Sequence, residues 1–160
     1  EVDGPSMESA LQDNDRLIVN KLGKTWSRLS GEPYIPKRYG IIVFNQTSST
    51  SAGTEEKQLI KRVIGLPGDR IVIKNGDVKI FNHQYPNGLE VDRFGPESEE
   101  PEVRFTEGNL DLTVEENEVF VLGDNRKNSL DSRSFGAIDS EQIVGELTAR
   151  IYPIGTIKKF

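Results

Sequence analysis

The sequence has no cysteine and only one histidine, His83. The first absence excludes disulfides, thiol nucleophiles and cysteine-based metal sites. The second makes a Ser-His-Asp arrangement a poor fit. The lone imidazole sits in a polar, turn-like Phe81-Asn82-His83-Gln84-Tyr85-Pro86 context rather than beside a serine. Zinc is worse supported still, since its protein sites draw mainly on Cys and His. A calcium loop over residues 124–135 lacks the glycine required at the sixth position and has Phe135 where an acid belongs. No metal and no cofactor are implied. No apolar run approaches the ~20 residues of a membrane-spanning helix. Internal repeats and long amphipathic helical patterns are also missing.

The chain has 160 residues and a formal net charge of −6. That length reads as one domain with room for a real hydrophobic core. The charge disfavours a nucleic-acid partner, and it is unevenly spread. Residues 89–118 hold eleven acids and two bases, a net of −9, so the remainder carries +3. An anionic bilayer repels such a segment, which is therefore expected to face away from the membrane. The chain opens on Glu1, which suggests a fragment whose upstream segment, an anchor, has been removed.

The pattern along the chain is mainly β. Residues 4–11 form a tight turn and a short piece, and Arg16–Lys21 alternates as a strand does. Residues 22–38 read as a long loop, with Trp26 as a packing residue beneath it. Gly40–Phe44 is a β-branched run and a buried strand. Gln46–Lys57, rich in Ser and Thr, reads as a flexible loop. Arg70–Lys74 and Val78–Phe81 flank Asn75-Gly76-Asp77, a strong hairpin signal. Residues 84–118 read as an irregular, proline-bearing lobe. Val119–Leu122 is another buried strand, stopped by Gly123-Asp124-Asn125, and residues 143–152 close the fold as a strand pair or one bent strand. The expected architecture is a catalytic core of residues 1–74 and 119–160 with a smaller inserted lobe near 75–118.

One stretch carries an unusual feature. Leu59–Asp69 is an apolar strand ending in a Pro-Gly turn, with Lys61 and Arg62 inside it. Neighbouring strand side chains point to opposite faces. Arginine keeps its charge essentially always, whereas a buried lysine gives up its proton. If one of the two turns inward to do chemistry, Lys61 is the better candidate. A serine with a lysine base needs a serine on an exposed turn, a buried lysine within reach, and donors for the oxyanion. Ser6, after Gly4-Pro5, is on such a turn, with Met7 and Leu11 available as an apolar wall.

Four ordered segments then resemble one family. They are Ser6-Met7 with Leu11; Arg38 with Ile41-Ile42-Val43-Phe44; Lys61-Arg62-Val63-Ile64-Gly65-Leu66-Pro67-Gly68-Asp69; and Gly123-Asp124-Asn125-Arg126-Lys127-Asn128-Ser129-Leu130-Asp131-Ser132-Arg133-Ser134-Phe135-Gly136. In type and order they are similar to the boxes of bacterial type I signal peptidases, and they span residues 6–136. The resemblance implies a mainly β fold like that of signal peptidases and self-cleaving repressors. It also implies a membrane-anchored serine-lysine endopeptidase that removes signal peptides on the outer face of the bacterial cytoplasmic membrane. Under it, Ser6 is the nucleophile and Lys61 the general base. Ser129 orients the Lys61 amine, Asp131 and Arg133 form a buried supporting pair, and Asp124 and Arg126 are structural. The Ser6 N–H is one oxyanion donor. Gly4 stands where some members carry a second, hydroxyl donor, so the second donor here would have to be a backbone N–H, with Gly4 the candidate, or water. Met7, Leu11 and Ile60 form the edge that meets substrate and membrane.

Three positions depart from the family pattern. Ser9-Ala10 replaces Pro-Thr, Arg38-Tyr39-Gly40 replaces Arg-Gly-Asp, and Gly4 lacks a hydroxyl. The expected partners are preproteins bearing signal peptides and the lipid surface, with the chain itself a monomer. The alternatives are a self-cleaving repressor peptidase, or a non-catalytic module that holds extended peptides by strand addition.

Overall fold

The fold is a computed structural model that describes residues 2–8, 10–50, 53–93, 105–152 and 158–159. Two antiparallel sheets carry it. The larger contains β1 (Arg16–Asn20), β2 (Ile41–Thr50), β3 (Gly53–Gly65), β8 (Glu118–Leu122), β9 (Ile138–Asp139), β10 (Ile143–Tyr152) and β11 (Lys158–Lys159). Its order is β1-β10-β2-β3-β8-β9, with β11 on β10. The smaller contains β4 (Arg70–Lys74), β5 (Asp77–Phe81), β6 (Leu89–Glu90) and β7 (Leu110–Thr113), in the order β6-β5-β4-β7. The second sheet thus begins at Arg70, inside the stretch that the sequence reading grouped with the core.

Apolar residues on opposite strand faces build separate clusters. Ile64, Phe120 and Leu122 of the large sheet meet Ile71, Ile73, Val78 and Ile80 of the small one, which joins the two sheets. Ile42, Phe44, Val63, Val119 and Val121 form a second cluster. Val2, Met7, Ala10 and Leu11 pack on Ile41 and Leu147 as a third. Each fully buried side chain of this size contributes about 1.5–3 kcal/mol. The third cluster therefore clamps the segment around Ser6 onto the large sheet.

The hairpin between β4 and β5 turns through Asn75 (φ 56°) and Gly76 (φ 92°). Two successive positive φ values are what a two-residue type I′ turn requires. Gly76 has a second constraint, since a Cβ there would come within 2.3 Å of the Phe105 ring.

Several expectations are corrected. Residues 46–57 are mostly not a loop: β2 runs to Thr50 and β3 starts at Gly53, paired in unbroken register from Ile41↔Arg62 to Thr50↔Gly53. Alternating backbone pairing outweighs the polar composition there. Residues 22–38 hold a helix, α1 (Leu22–Ser30), closed by Gly31 in the left-handed conformation (φ 76°). Trp26 on that helix is 71 % exposed rather than packed beneath a loop. Residues 84–93 and 105–118 contribute β6 and β7, while 94–104 of the expected lobe lie outside the described residues. The closing segment is one strand, β10, with an irregularity between Ile143 and Gly145.

Candidate active site

Ser6 sits in a turn that Gly4 opens with a φ of 92°. Met7 and Leu11 anchor that turn: both are buried in the third cluster, and the Leu11 N–H donates to the Met7 carbonyl at 2.8 Å. From the far side, the Asn125 N–H donates to the Ser6 carbonyl at 3.1 Å. The nucleophile candidate is thus fixed before and after, and it lies beside β3.

Lys61 on β3 is 3 % exposed. Its Nζ lies 2.8 Å from Ser6 Oγ and 2.8 Å from the Ile60 carbonyl, to which it donates. Burial holds its pKa down to about 8 from an ordinary 10.5, against an upward pull from the carboxylates of Asp131 and then Asp124. The neutral amine is therefore a minority form at pH 7 and becomes the main one as pH rises through about 8. When neutral, Nζ accepts from the Ser6 hydroxyl, which is the geometry a general base requires.

Arg62 leaves the strand on the other side and is also buried. Its Nε and Nη2 donate to the two carboxylate oxygens of Asp124 at 2.8 and 2.7 Å, and Nη1 donates to the Tyr39 carbonyl. Both faces of this end of β3 are covered, one by chemistry and one by an ion pair.

The segment from Gly123 to Gly136 is organised by three such guanidinium–carboxylate pairs. Besides Arg62–Asp124, Arg126 grips Asp92 through Nη1 and Nη2 and donates to Thr106 and to the Gly123 carbonyl. That pair ties the small sheet's side of the molecule to the loop beside Ser6. Asp131, fully buried, caps the short helix α2 (Ser132–Phe135) and pairs with Arg133 at 2.8 Å. Burial alone would raise the Asp131 pKa. Hydrogen bonds from Arg133 and the Gly123 N–H, with the Arg133 charge, reverse the sign and hold it below the ordinary value. The Arg133 Nη2 also donates to the Arg126 carbonyl at 2.6 Å.

Gly123 fills the narrowest point of the site. A Cβ built there would stand 2.2 Å from Ser129 Oγ and 2.6 Å from the Ser6 carbonyl oxygen. No backbone distortion is stored, since the requirement is space alone. Gly123→Ala should therefore shift the Ser6 turn or the Ser129 side chain. A displacement near 1 Å costs about 10²-fold, so kcat/KM is expected to fall by about that factor while circular dichroism stays unchanged. An Ala variant with full activity would show that the turn has slack.

Two expected contacts do not form. Ser129 Oγ is buried but makes no hydrogen bond, so it does not hold the Lys61 amine. It contributes to lowering the Asp131 pKa while falling short of hydrogen-bond geometry. Gly4 does not offer a free N–H for an oxyanion, because that N–H donates to Asp13 Oδ1 at 3.0 Å. Among the described residues the Ser6 N–H has no acceptor and stays available. Met7 and Leu11 cannot meet lipid, being 1 % and 0 % exposed. Instead Met7 and Ile60 help line a cavity of about 230 Å³ beside Ser6 and Lys61, along with Leu17, Val19 and Val43. Ser9 lies outside the described residues, so its departure from the family pattern has no structural account. Among the described residues there is no cluster of metal-ligand side chains.

The profile of the family described as "Signal peptidase, peptidase S26" matches residues 1–152. The chain belongs to that family. By that membership it is a peptidase, a hydrolase of peptide bonds. The chain is 37 % identical to signal peptidase I of Bacillus caldolyticus over 95 % of its own length and 78 % of that protein's. It is 34 % identical to probable signal peptidase I-2 of a Synechocystis strain, covering 93 % of this chain and 60 % of that one. The chain thus spans between three fifths and four fifths of these relatives. A crystal structure of signal peptidase I from Enterococcus faecalis superposes with a TM-score of 0.50 at 29 % identity, covering 71 % of this chain and 97 % of that chain. The mainly β peptidase fold expected from the sequence is therefore the observed one. Among the described residues no helix is long and apolar enough to cross a membrane.

Asp131 and Asp124 were legible as supporting residues, but their upward pull on the Lys61 pKa and the clash space at Gly123 were not. The family box containing both was visible, but loop-to-strand distances within it are not a property of spacing. Arg126 was noted as structural, whereas its grip on Asp92, 34 positions away, had no local signal.

Proposed function

We propose that this chain is the catalytic part of a signal peptidase I, a serine endopeptidase that removes N-terminal signal peptides from exported preproteins with Ser6 and Lys61. The observation that carries the reading is the 2.8 Å approach of a buried, pKa-depressed Lys61 amine to the Ser6 hydroxyl. Neutral Lys61 takes the Ser6 proton as Oγ attacks the scissile carbonyl. The Ser6 N–H stabilises the oxyanion, and an acyl-enzyme forms as the proton passes to the leaving amine. Lys61 then takes a proton from water as the water oxygen attacks the ester carbonyl, and returns it to Ser6 Oγ as the ester bond breaks and the free acid leaves. Asp131 and Arg133 hold the loop that supports Ser6, and Ser129 packs between them and Gly123.

The substrates are extended preprotein segments with small side chains one and three residues before the cut. Support comes from the family membership, and the mostly apolar cavity beside Ser6, about 230 Å³, is where those side chains would be received. The reaction is placed on the outer face of the bacterial cytoplasmic membrane, the lipid surface being the second partner, and the chain works as a monomer. The acidic 89–118 segment is turned from the bilayer.

The test is cleavage of a preprotein ending its signal in Ala-x-Ala, against the same preprotein with Leu before the cut. The Ala form should be cut at the mature N-terminus and the Leu form at least ~10² times more slowly, because the misfit displaces the scissile carbonyl from Ser6. Ser6→Ala should stop cleavage. Equal turnover of both substrates would refute the specificity. Undiminished cleavage by Ser6→Ala would refute the chemistry.

A further inference from the structure

Among the described residues the three most exposed large apolar side chains share one element. Leu22, Trp26 and Leu29, at 74 %, 71 % and 79 % exposure, all belong to α1. Their spacing of four and three residues puts them on one helix face, within an arc of about 60°. A surface helix normally turns that stripe toward the core; α1 is reversed. No residue of α1 is buried. It meets the protein through its small and polar side. Gly23 lies against the Tyr34 ring, so that a Cβ would be 2.2 Å from it, and Lys24 Nζ donates to the Ser140 carbonyl at 2.9 Å. Tyr34 in turn donates to Glu146 of β10 at 2.8 Å, which fixes the seat of the helix on the large sheet.

The charges on this element select its occupant. Residues 21–31 contain Lys21, Lys24 and Arg28 and no acid, in a chain of net charge −6. Lys21 and Arg28 fall together on one shoulder of the apolar stripe, about 100–120° from Leu22. Leucine and tryptophan on one face with lysine and arginine flanking them is the composition of a helix that lies in a lipid interface. A second copy of the chain would set two such cationic helices against each other, whereas anionic headgroups match them.

We propose that α1 docks this domain on an anionic bilayer, with Leu22, Trp26 and Leu29 inserted below the headgroups and Lys21 and Arg28 among the phosphates. This deepens the reading above, which includes a lipid surface but, once Met7 and Leu11 are buried, keeps only half-buried Ile60 of the expected edge to meet it. Lipid binding is read without substrate, so either reading can fail alone.

Trp26 is the single tryptophan of the chain, so its emission reports the contact directly. The 160-residue chain is mixed with phosphatidylglycerol vesicles and, separately, with phosphatidylcholine vesicles. It should sediment with the anionic vesicles, and Trp26 emission should move to shorter wavelength and be quenched by brominated acyl chains. Affinity for phosphatidylcholine should be weaker by about tenfold or more. The Leu22→Glu/Leu29→Glu double variant should lose at least ~10-fold in vesicle affinity and keep its rate on a short soluble peptide. Absence of vesicle binding would overturn the proposal. So would binding with unchanged Trp26 emission, or a solution dimer that the double variant dissolves.

Discussion

Lys61→Arg should lose about 10⁴-fold in kcat/KM, the upper end of what a positioned general base contributes, and should be as inactive as Lys61→Ala. The proton decides this outcome, and not the charge. In the proposed mechanism Lys61 works as a base because burial holds its pKa near 8, where neutral amine is plentiful in mildly alkaline solution. A guanidinium in the same place keeps its proton under all conditions that leave a protein folded. It can still donate to Ser6 Oγ, so it lowers the nucleophilicity of the serine instead of raising it. For the wild type, activity should climb as pH rises through about 8 and then level off. His83, exposed in its turn, supplies no limb of that profile. The sign for stability is the same. Between about 8 and 10.5 the unfolded chain holds a proton that the folded chain has released, so the Lys61 contribution to stability grows as pH rises through that interval. The measurement is kcat/KM against pH for wild type, Lys61→Arg and Lys61→Ala, with circular dichroism confirming the fold. Substantial activity in a folded Lys61→Arg protein would make Lys61 a structural cation and end the serine-lysine mechanism.

The readable parts of this protein were those encoded locally. Strand runs such as Ile41–Phe44 and Val119–Leu122, and the Asn75-Gly76 turn, announce themselves through branching, alternation and positive φ. The Ser6 and Lys61 assignments came from motif resemblance, and their 2.8 Å approach could not have been read from 55 positions of separation. What failed, failed for physical reasons. The polar arms of β2 and β3 look like a loop by composition because a solvated ribbon needs no apolar alternation; backbone pairing alone holds it. Helix α1 was hidden because its stripe is short and points outward, so the segment reads as loop chemistry around one tryptophan. Met7 and Leu11, apolar and next to Ser6 in sequence, read as a lipid-facing edge. In fact they belong to the buried cluster that fastens the Ser6 turn to the sheet. The free N–H expected of Gly4 is consumed by Asp13, nine residues on, a contact set by the turn and not by the motif.

Arg62 is the neighbour of Lys61 for which a milder effect follows from lying on the other face, and the structure divides that expectation into two. On the chemistry the effect should be small, because Arg62 does not touch Ser6. On the fold it should be large. The Arg62–Asp124 pair is bidentate at 2.8 and 2.7 Å, with side chains 9 % and 2 % exposed. Removing the cation takes the bidentate partner from a buried carboxylate, and breaking a buried pair in this way costs about 3–5 kcal/mol. For a chain of this size that amounts to a fall of about 10 °C in Tm. Arg62→Met should show this fall, with kcat/KM per folded molecule held within a few-fold of wild type below the transition. The double variant Arg62→Met/Asp124→Leu separates the pair's attraction from the penalty of a stranded charge. Replacing both partners by apolar groups of similar volume removes the buried carboxylate together with its cation, so the double variant should recover most of the lost Tm. It should also lower the Lys61 pKa further, because the Asp124 carboxylate is one of the two that pull it upward. The alkaline rise in activity should then begin at lower pH than in wild type. Thermal melts of the three proteins, with pH profiles of the two variants, decide the matter. If Arg62→Met melts within 2–3 °C of wild type, a shift of roughly 1 kcal/mol, the buried carboxylate is solvated in solution and the pair does not support the loop.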